Sequence, residues 1–571
     1  MWDHGYHSRT TYSSGYYREL APDWLDFAAL LRGHQSPRHG TGHGFHFLEL
    51  GCGMGFGLCQ LAAAYAEGQF VGVDFNPAHI SQARSLAEAL ALNNIQFIDA
   101  DLLALSQGDW RTLLPCHEQG FHYVAAHGIY TWVIERVRDA LLQLAGDALV
   151  AGGIFYCSYN TYPGWLARTA FQKLLALEQE RSEPTADRAT FESVVTTCRQ
   201  LLGTDGHPAP LGSCFPFLQA ELASLHLQDL HYLNGEFSNA GWAPVYVADM
   251  HRHGLQHRLT YLTSATLPDG FEQLLAPSLQ EPVLRENNPL LRQTLIDLAT
   301  NKAFRRDLFV KGINQLSQRQ ATQQLSQLQF LPLEPRPPIS PQDKGESDSA
   351  YTFSTSYGQV IGDPRLYGSV AVLLNRHEGC CLSDLQEAAP EATQELPMML
   401  ALFLDAGRIA IDRGACGEAA TAGAQLANTA VISQIQAGRD CTSIVLPRAG
   451  ISVSLSLIES LVFEAHRQGL QGEMLASCVS LELESLGARL LDSRHTPVSS
   501  LKEALKRVTE VADDFLTRRL PAMERLGAFP GLSPPASRDG KPEPNPQPAS
   551  PSTRSQRRRQ AASRAGSSAS S

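Results

Sequence analysis

The chain has 571 residues, 43% of them apolar and 18% charged, with 58 Asp and Glu against 46 Lys and Arg for a net charge of −12. That length predicts about three domains, and the apolar share is enough for ordinary cores. The acidic balance argues against general affinity for nucleic-acid phosphates; it would favour a basic partner such as a lysine side chain, although such a balance is usually only a solubility trait.

Phe47-Leu48-Glu49-Leu50-Gly51-Cys52-Gly53-Met54-Gly55-Phe56-Gly57 is an apolar run ending in an acid, followed by alternate glycines. Leu58-Cys59-Gln60-Leu61-Ala62 then opens a helix. This pattern predicts a strand turning into a helix through a loop that needs positive φ and close backbone approach to a ligand. About 20 residues on, Phe70-Val71-Gly72-Val73 ends in Asp74, placed to bind ribose hydroxyls. A dinucleotide fingerprint would require glycine where this chain has Phe56. A third strand, Asn94-Ile95-Gln96-Phe97-Ile98, ends in Asp99 and Asp101. A fourth, starting at Phe121, runs into His127-Gly128-Ile129-Tyr130-Thr131-Trp132, and a fifth covers Gly152 to Asn160 after a helix from Arg136 to Ala145. Strand and helix alternating at roughly 25 to 30 residues predict βαβ units in a parallel α/β sheet, with ligands at the carboxyl ends of the strands.

The spacing E-x-G-x-G-x-G resembles the first motif of class I S-adenosylmethionine-dependent methyltransferases, whose donor has no pyrophosphate to cradle. The resemblance implies a Rossmann-like sheet with donor contacts from Glu49, Gly51, Cys52, Gly53, Asp74, Phe75, Asp101, Leu102 and His127. In that fold an acid after the third strand accepts a hydrogen bond from the adenine amino group, here Asp101, with Asp99 as the alternative. Enzymes that methylate adenine N6 or glutamine carry [ND]-P-P-[YF] after the fourth strand. This chain has His127-Gly128-Ile129-Tyr130 there, which disfavours base methylation.

A narrower resemblance rests on Tyr12-Ser13-Ser14-Gly15-Tyr16-Tyr17-Arg18-Glu19-Leu20-Ala21-Pro22, on the His127 motif through Val133, and on Ser158-Tyr159-Asn160-Thr161-Tyr162-Pro163-Gly164-Trp165. These look like bacterial methyltransferases that carry a methyltransferase regulatory domain, among them protein-lysine methyltransferases acting on outer-membrane proteins. The resemblance covers about Tyr12 to Ala265. It implies methyl transfer more firmly than it implies lysine. His127, Tyr130, Tyr159 and Asn160 are the candidate catalytic residues. Tyr130, Trp132, Tyr159, Tyr162 and Trp165 suit an aromatic channel that sheds water from an amine and lowers its pKa. His127 is the candidate base, with a backbone contact to the donor as its other role. Glu236, Trp242 and Tyr246 match the family pattern and suggest a lid over the acceptor.

The expected domains are an N-terminal lid segment (residues 1–44), the methyltransferase core (45–182), the regulatory domain (183–300), a helical connector (301–331), a Pro/Asp/Ser-rich linker (332–349) and a winged-helix-like, mainly helical region (350–530). A tail over 531–571, rich in Pro, Ser and Arg, is expected to be disordered. Residues 166–202 read as mostly helical with a break at Pro184, residues 203–216 as loop, and residues 290–328 as helical. Residues 227–264 read as a two-strand unit that either completes the sheet or stands beside it as a lid. A DNA-reading helix would carry polar or basic side chains, and Leu396-Pro397-Met398-Met399-Leu400-Ala401-Leu402-Phe403-Leu404 carries none. Protein contact or plain core is the better reading.

Eleven cysteines lack any C-x-x-C pair, and Cys380 and Cys381 are the only neighbours. Zinc and a disulfide framework are therefore not expected, and a reducing cytoplasm is. No apolar run reaches the roughly 18 residues of a membrane span. Met1-Trp2-Asp3-His4-Gly5-Tyr6 lacks the basic and apolar regions of a signal peptide. The sequence thus predicts an S-adenosylmethionine-dependent methyltransferase acting on protein lysine, with a protein acceptor, an optional homodimer and no nucleic-acid partner. The alternatives are an N- or O-methyltransferase of a small molecule or cell-envelope sugar, and a donor-sensing scaffold without transfer activity.

Overall fold

Strands buried on both faces must be apolar at nearly every position. Phe45–Leu50 (β1) and Phe121–Ala126 (β4) meet that demand, with only His46 partly exposed. They form the centre of a seven-stranded sheet with Gly68–Asp74 (β2), Ile95–Asp99 (β3), Leu149–Asn160 (β5), Thr260–Ser264 (β8) and Phe304–Val310 (β9). The order is β3-β2-β1-β4-β5-β9-β8. The first five strands run parallel, whereas β9 is antiparallel to both β5 and β8. The small strands Gly203–Thr204 (β6) and His207–Pro208 (β7) form a separate hairpin. The computed structural model describes residues 4, 6, 15–39, 44–115, 120–181, 188–204, 206–225, 230–333, 351–376, 378–439, 441–490, 498 and 500–530. Tyr12, the break at Pro184, most of the 332–349 linker and the 531–571 tail lie outside the described residues. Among the described residues, no helix is long and apolar enough to cross a membrane.

Helices Phe56–Ala64 (α2), Pro77–Ala89 (α3), Leu102–Gln107 (α4), Trp110–Leu113 (α5) and Glu135–Ala148 (α6) connect the parallel strands. Side chains of α4, α5 and α6 share one core with β1, β2, β4 and β5, and Met250 from the later helix Val247–Gln256 (α12) joins it. A second core, built around Trp165, Phe171, Phe191 and Phe237, holds helices Arg168–Arg181 (α7), Arg188–Leu202 (α8), Phe217–Ser224 (α10) and Leu230–Phe237 (α11) together. This helical cluster is inserted between β5 and β8.

Three expectations change here. Residues 290–328 are not one helical stretch: helix Pro289–Thr300 (α14) gives way to β9 before helix Gln318–Gln327 (α15). The strand was hidden because Phe304-Arg305-Arg306-Asp307 carries three charges, which its neighbours neutralise only in the folded chain. Among the described residues of the 227–264 unit, 230–237 form a helix and only 260–264 a strand, and that strand closes the methyltransferase sheet. Residues 203–216 hold the β6–β7 hairpin and helix Pro210–Cys214.

The expected lid over residues 1–44 is also mostly structural. Helix Pro22–Leu30 (α1) buries Trp24, Leu25 and Phe27, and Trp24 Nε1 donates to Ala265 O at 2.7 Å. Arg38 pairs with Asp23 and Asp26 at 2.7 and 2.6 Å. Among the described residues before Arg18, His4, Tyr6, Gly15 and Tyr17 line a cavity at the carboxyl ends of the parallel strands.

Beyond β9, strand Gln329–Pro332 (β10) lies between Cys380–Cys381 (β13) and Ile409–Asp412 (β14), antiparallel to both. Helices Pro364–Leu374, Leu382–Ala388 and Leu396–Asp405 pack with it. No wing follows β14, which leads instead into the long helix Glu418–Gln436. Met399, Leu400, Leu402 and Leu404 on the third helix are buried, so this helix is core. The rest of the region adds the hairpin Ser443–Leu446 (β15) and Ile451–Ser454 (β16), then further helices. It sits directly on α2: Ser452 Oγ donates to Gln60 Oε1 at 2.8 Å, and the Arg413 guanidinium covers the Tyr65 ring at 4.0 Å while pairing with Asp23.

Candidate active site

The turn after β1 is shaped by its glycines. Gly51 has φ of 72°, and a Cβ there would meet Ile129 Cδ1 at 1.7 Å, so no other residue fits. The Gly51 and Cys52 amides donate to Val73 O at 2.6 and 3.0 Å, folding the loop back over β2. Asp74, at the end of β2, holds the loop in place. Its Oδ2 accepts from Gly53 N at 3.0 Å and its Oδ1 from Asn76 N at 2.8 Å. Oδ2 keeps a second lone pair for a ligand hydroxyl, while His79 Nδ1 stands 3.4 Å from Oδ1.

A cavity of about 430 Å³ opens at the carboxyl ends of the parallel strands. The structure brings Glu49, Gly51, Cys52 and Gly53 to its wall together with Asp74 and Phe75. Asp101, Leu102, His127 and Asn160 line it as well. Asp101 caps α4 through Leu103 N at 2.8 Å, and His4 Nε2 lies 2.8 Å from its other oxygen. Asp99 is not on the wall.

Tyr130 and Tyr159 do not reach the cavity. The Tyr130 hydroxyl lies 2.8 Å from His253 Nδ1, and Tyr159 donates to the buried Asp307 at 2.5 Å. Side chains of a strand alternate between faces, so Tyr156, Ser158 and Asn160 share the cavity side of β5, whereas Cys157 and Tyr159 join the core opposite. Of the expected aromatic channel, Trp132 and Trp165 line the cavity. Tyr162 and the exposed Tyr246 pack on each other at 5.1 Å, and Trp242 packs on Trp165 at 5.2 Å.

The cavity also collects residues that the sequence did not single out: Arg168, Tyr232, Phe304 and Arg306. Phe304 and Arg306 come from β9, and the sequence carried no signal for them, because Phe304-Arg305-Arg306-Asp307-Leu308-Phe309 does not alternate apolar with polar residues. Tyr17 stacks on the His127 ring at 3.7 Å, and Gly15 O crosses the start of α2 so closely that a Cβ on Gly57 would stand 2.9 Å from it.

Burial governs the charges here. It pushes Glu49 up to about 8, helped by the nearby Asp74 charge. Burial presses His127 down to about 3, helped by Arg306, and its Nδ1 lies 2.8 Å from the Tyr156 hydroxyl. A ring held neutral so firmly takes up a proton poorly at neutral pH, which removes the reason for making it the base. Burial also raises Glu236, even though Asn160 Nδ2 donates to its Oε1 at 3.1 Å.

Residues 42–182 match the family model described as a methyltransferase domain, and residues 229–311 match a predicted methyltransferase regulatory domain. The chain is an S-adenosylmethionine-dependent methyltransferase, and its regulatory segment supplies the last two strands of the catalytic sheet. An uncharacterised protein of Synechocystis sp. is 27% identical over 532 residues, covering 92% of this chain and 99% of its own. One from Rickettsia prowazekii is 26% identical over 307 residues, 54% of this chain and 52% of that protein. Among solved structures, PKMT2 from Rickettsia typhi is 18% identical and superposes with a TM-score of 0.61 over 91% of this chain and 99% of that one. Its complex with AdoHcy gives a TM-score of 0.63 over 90% and 99%. That likeness establishes the shared fold.

The wall suits such a donor: a glycine turn closed to side chains at Gly51 and Gly55 lies beside the Asp74 carboxylate, whose Oδ2 keeps a free lone pair. One consequence is a pH dependence. Glu49 is half protonated near pH 8 in the free protein, and a cationic donor placed in the same pocket draws its pKa down. Affinity for S-adenosylmethionine should therefore rise with pH up to about 8 and then level off. Calorimetry at pH 7 in two buffers of different ionisation enthalpy should register release of about one proton, and Glu49→Gln should abolish it. Equal heats in both buffers for the native chain would contradict the assignment.

Proposed function

We propose that this methyltransferase acts on the side-chain amine of protein lysine, with Glu49, Gly51, Cys52, Gly53, Asp74, Phe75, Asp101 and Leu102 holding the donor. Bound there, S-adenosylmethionine supplies a methyl group already made electrophilic by its sulfonium, so the protein has to align the acceptor and remove one proton. The observation that carries the lysine reading is Glu236. It is a buried carboxylate oriented by Asn160, on a cavity wall that also carries Tyr17, Trp132, Trp165, Arg168 and Tyr232. A carboxylate inside an aromatic wall attracts an ammonium, strips its water and accepts its proton. The overlap with PKMT2, whose name abbreviates protein lysine methyltransferase, extends over nine-tenths of the chain and so includes the C-terminal region that a small acceptor would not need.

Glu236→Gln keeps the shape and the Asn160 contact but loses the charge. Transfer to protein should fall roughly 100-fold, with S-adenosylhomocysteine affinity changed less than about threefold. A transfer rate equal to the native one would exclude Glu236 from the acceptor site, and a matching loss of donor affinity would place it in the donor site.

A further inference from the structure

We propose that Asp139, His253 and His257 form a binding site for a first-row divalent metal ion, Zn²⁺ foremost, that ties the regulatory segment to the catalytic core. Among the described residues, this is the one group of three such side chains whose ligand atoms all lie within 4.8 Å of one another. His253 and His257 stand one helical turn apart at the end of α12, so both rings leave the same face. Asp139 reaches them from α6, its Oδ1 2.9 Å from His257 Nε2 and 3.2 Å from His253 Nε2. Donor atoms around a tetrahedral zinc with bonds of about 2.1 Å are about 3.4 Å apart, so a small outward shift of each side chain admits the ion. Two neutral imidazoles and a carboxylate leave one coordination position open to water.

Two independent features support a built site. The far nitrogen of His253, Nδ1, lies 2.8 Å from the Tyr130 hydroxyl. A hydrogen on Nδ1, donated to Tyr130, leaves Nε2 bare for a metal, which is how ligand histidines are usually held. Further along α6, a Cβ on Gly146 would stand 2.2 Å from His257 O, so the glycine lets the two helices approach closely enough for Asp139 to meet both rings. No spacing motif marks this site in the sequence, because Asp139 lies more than a hundred residues before the two histidines. The ion would join the helix after the His127–Trp132 loop to the helix leading into β8. Metal occupancy would then stiffen the regulatory segment against the core.

The test is calorimetric titration of the full-length, tag-free, chelator-treated protein with ZnCl₂. One ion per chain should bind with micromolar or tighter affinity, and the melting temperature should rise with added Zn²⁺. Asp139→Asn and His257→Gln should each weaken binding at least tenfold, and Tyr130→Phe roughly 10-fold through loss of the outer contact. Metal-free melts of the variants, compared with the native melt, show whether each has folded. Co²⁺ in place of Zn²⁺ should give the intense visible bands of a tetrahedral centre in the native chain and lose them in Asp139→Asn. No saturable binding, or binding unchanged in folded Asp139→Asn and His257→Gln, would overturn the proposal and leave the cluster a hydrogen-bonded Asp–His network.

Discussion

Replacing Asp74 by Ala is expected to weaken S-adenosylhomocysteine binding by about 2–4 kcal/mol, or roughly 30- to 700-fold. Two losses contribute. The ribose hydroxyls lose their charged acceptor, and the Gly53 and Asn76 amides lose the partner that fixes the loop. Asp74→Asn retains one acceptor oxygen and should fall between Ala and the native chain. Because Asp74 sits at a strand end among backbone donors, the melt of the ligand-free protein should move far less than the affinity does. Calorimetric titration measures the first quantity and a thermal scan the second. Unchanged affinity in Asp74→Ala would remove Asp74 from the donor site.

The largest effect on stability should come from Arg305→Met. Arg305 is 4% exposed and bonds Asp297 at 2.6 Å and Asp307 at 2.9 Å, which are 1% and 0% exposed. Burial would raise Asp307, but Arg305 and His251 outweigh it and hold the group down at about 2, whereas burial keeps Asp297 at about 6. Removing the guanidinium leaves the buried Asp307 of β9 with only Tyr159 and His251 and takes the arginine from the buried Asp297 of α14, at a cost of about 3–5 kcal/mol. In the native chain Asp307 is lowered relative to the unfolded state, so its pairing stabilises above about pH 4 and is lost as pH falls toward 2. In the variant the unpaired carboxylate is raised instead, so the penalty is full at high pH and is relieved as pH falls. The gap between variant and native melts should therefore narrow from pH 8 to pH 5. A chain of this size does not unfold in two states, so the measurement is the first thermal transition together with hydrogen exchange of β8 and β9. A variant as stable as the native chain at pH 8 would contradict the account.

The first five strands were legible because each is a largely apolar run, three of them ended by a glycine or an acid (Gly51, Asp74, Asp99), and those ends are also where the residues proposed for the donor stand. Strand β9 was not, because Arg305, Arg306 and Asp307 look like surface until α14 and β8 bring Asp297 and Tyr261 against them. Tyr159 and Asn160 were both expected in the site, yet neighbours on a strand face opposite ways. Applied to β5, that rule would have kept Asn160 and placed Tyr159 in the core. Tyr17 shows a different limit. Its stacking on His127 joins residues more than a hundred positions apart, and no period within either segment predicts it. The C-terminal helices read correctly as elements, but the missing wing and the seat on α2 depend on tertiary pairing of β10 and on Arg413.

Methyl transfer to protein lysine can be read from where a labelled methyl group ends up. The full-length chain is incubated with bacterial cell extract and methyl-labelled S-adenosylmethionine, the protein fraction is separated and hydrolysed, and the labelled amino acids are identified by mass spectrometry. Label in methylated lysine, roughly 100-fold weaker when Glu236→Gln replaces the native chain, is the expected result. Label confined to small molecules, or carried by another amino acid, would contradict it.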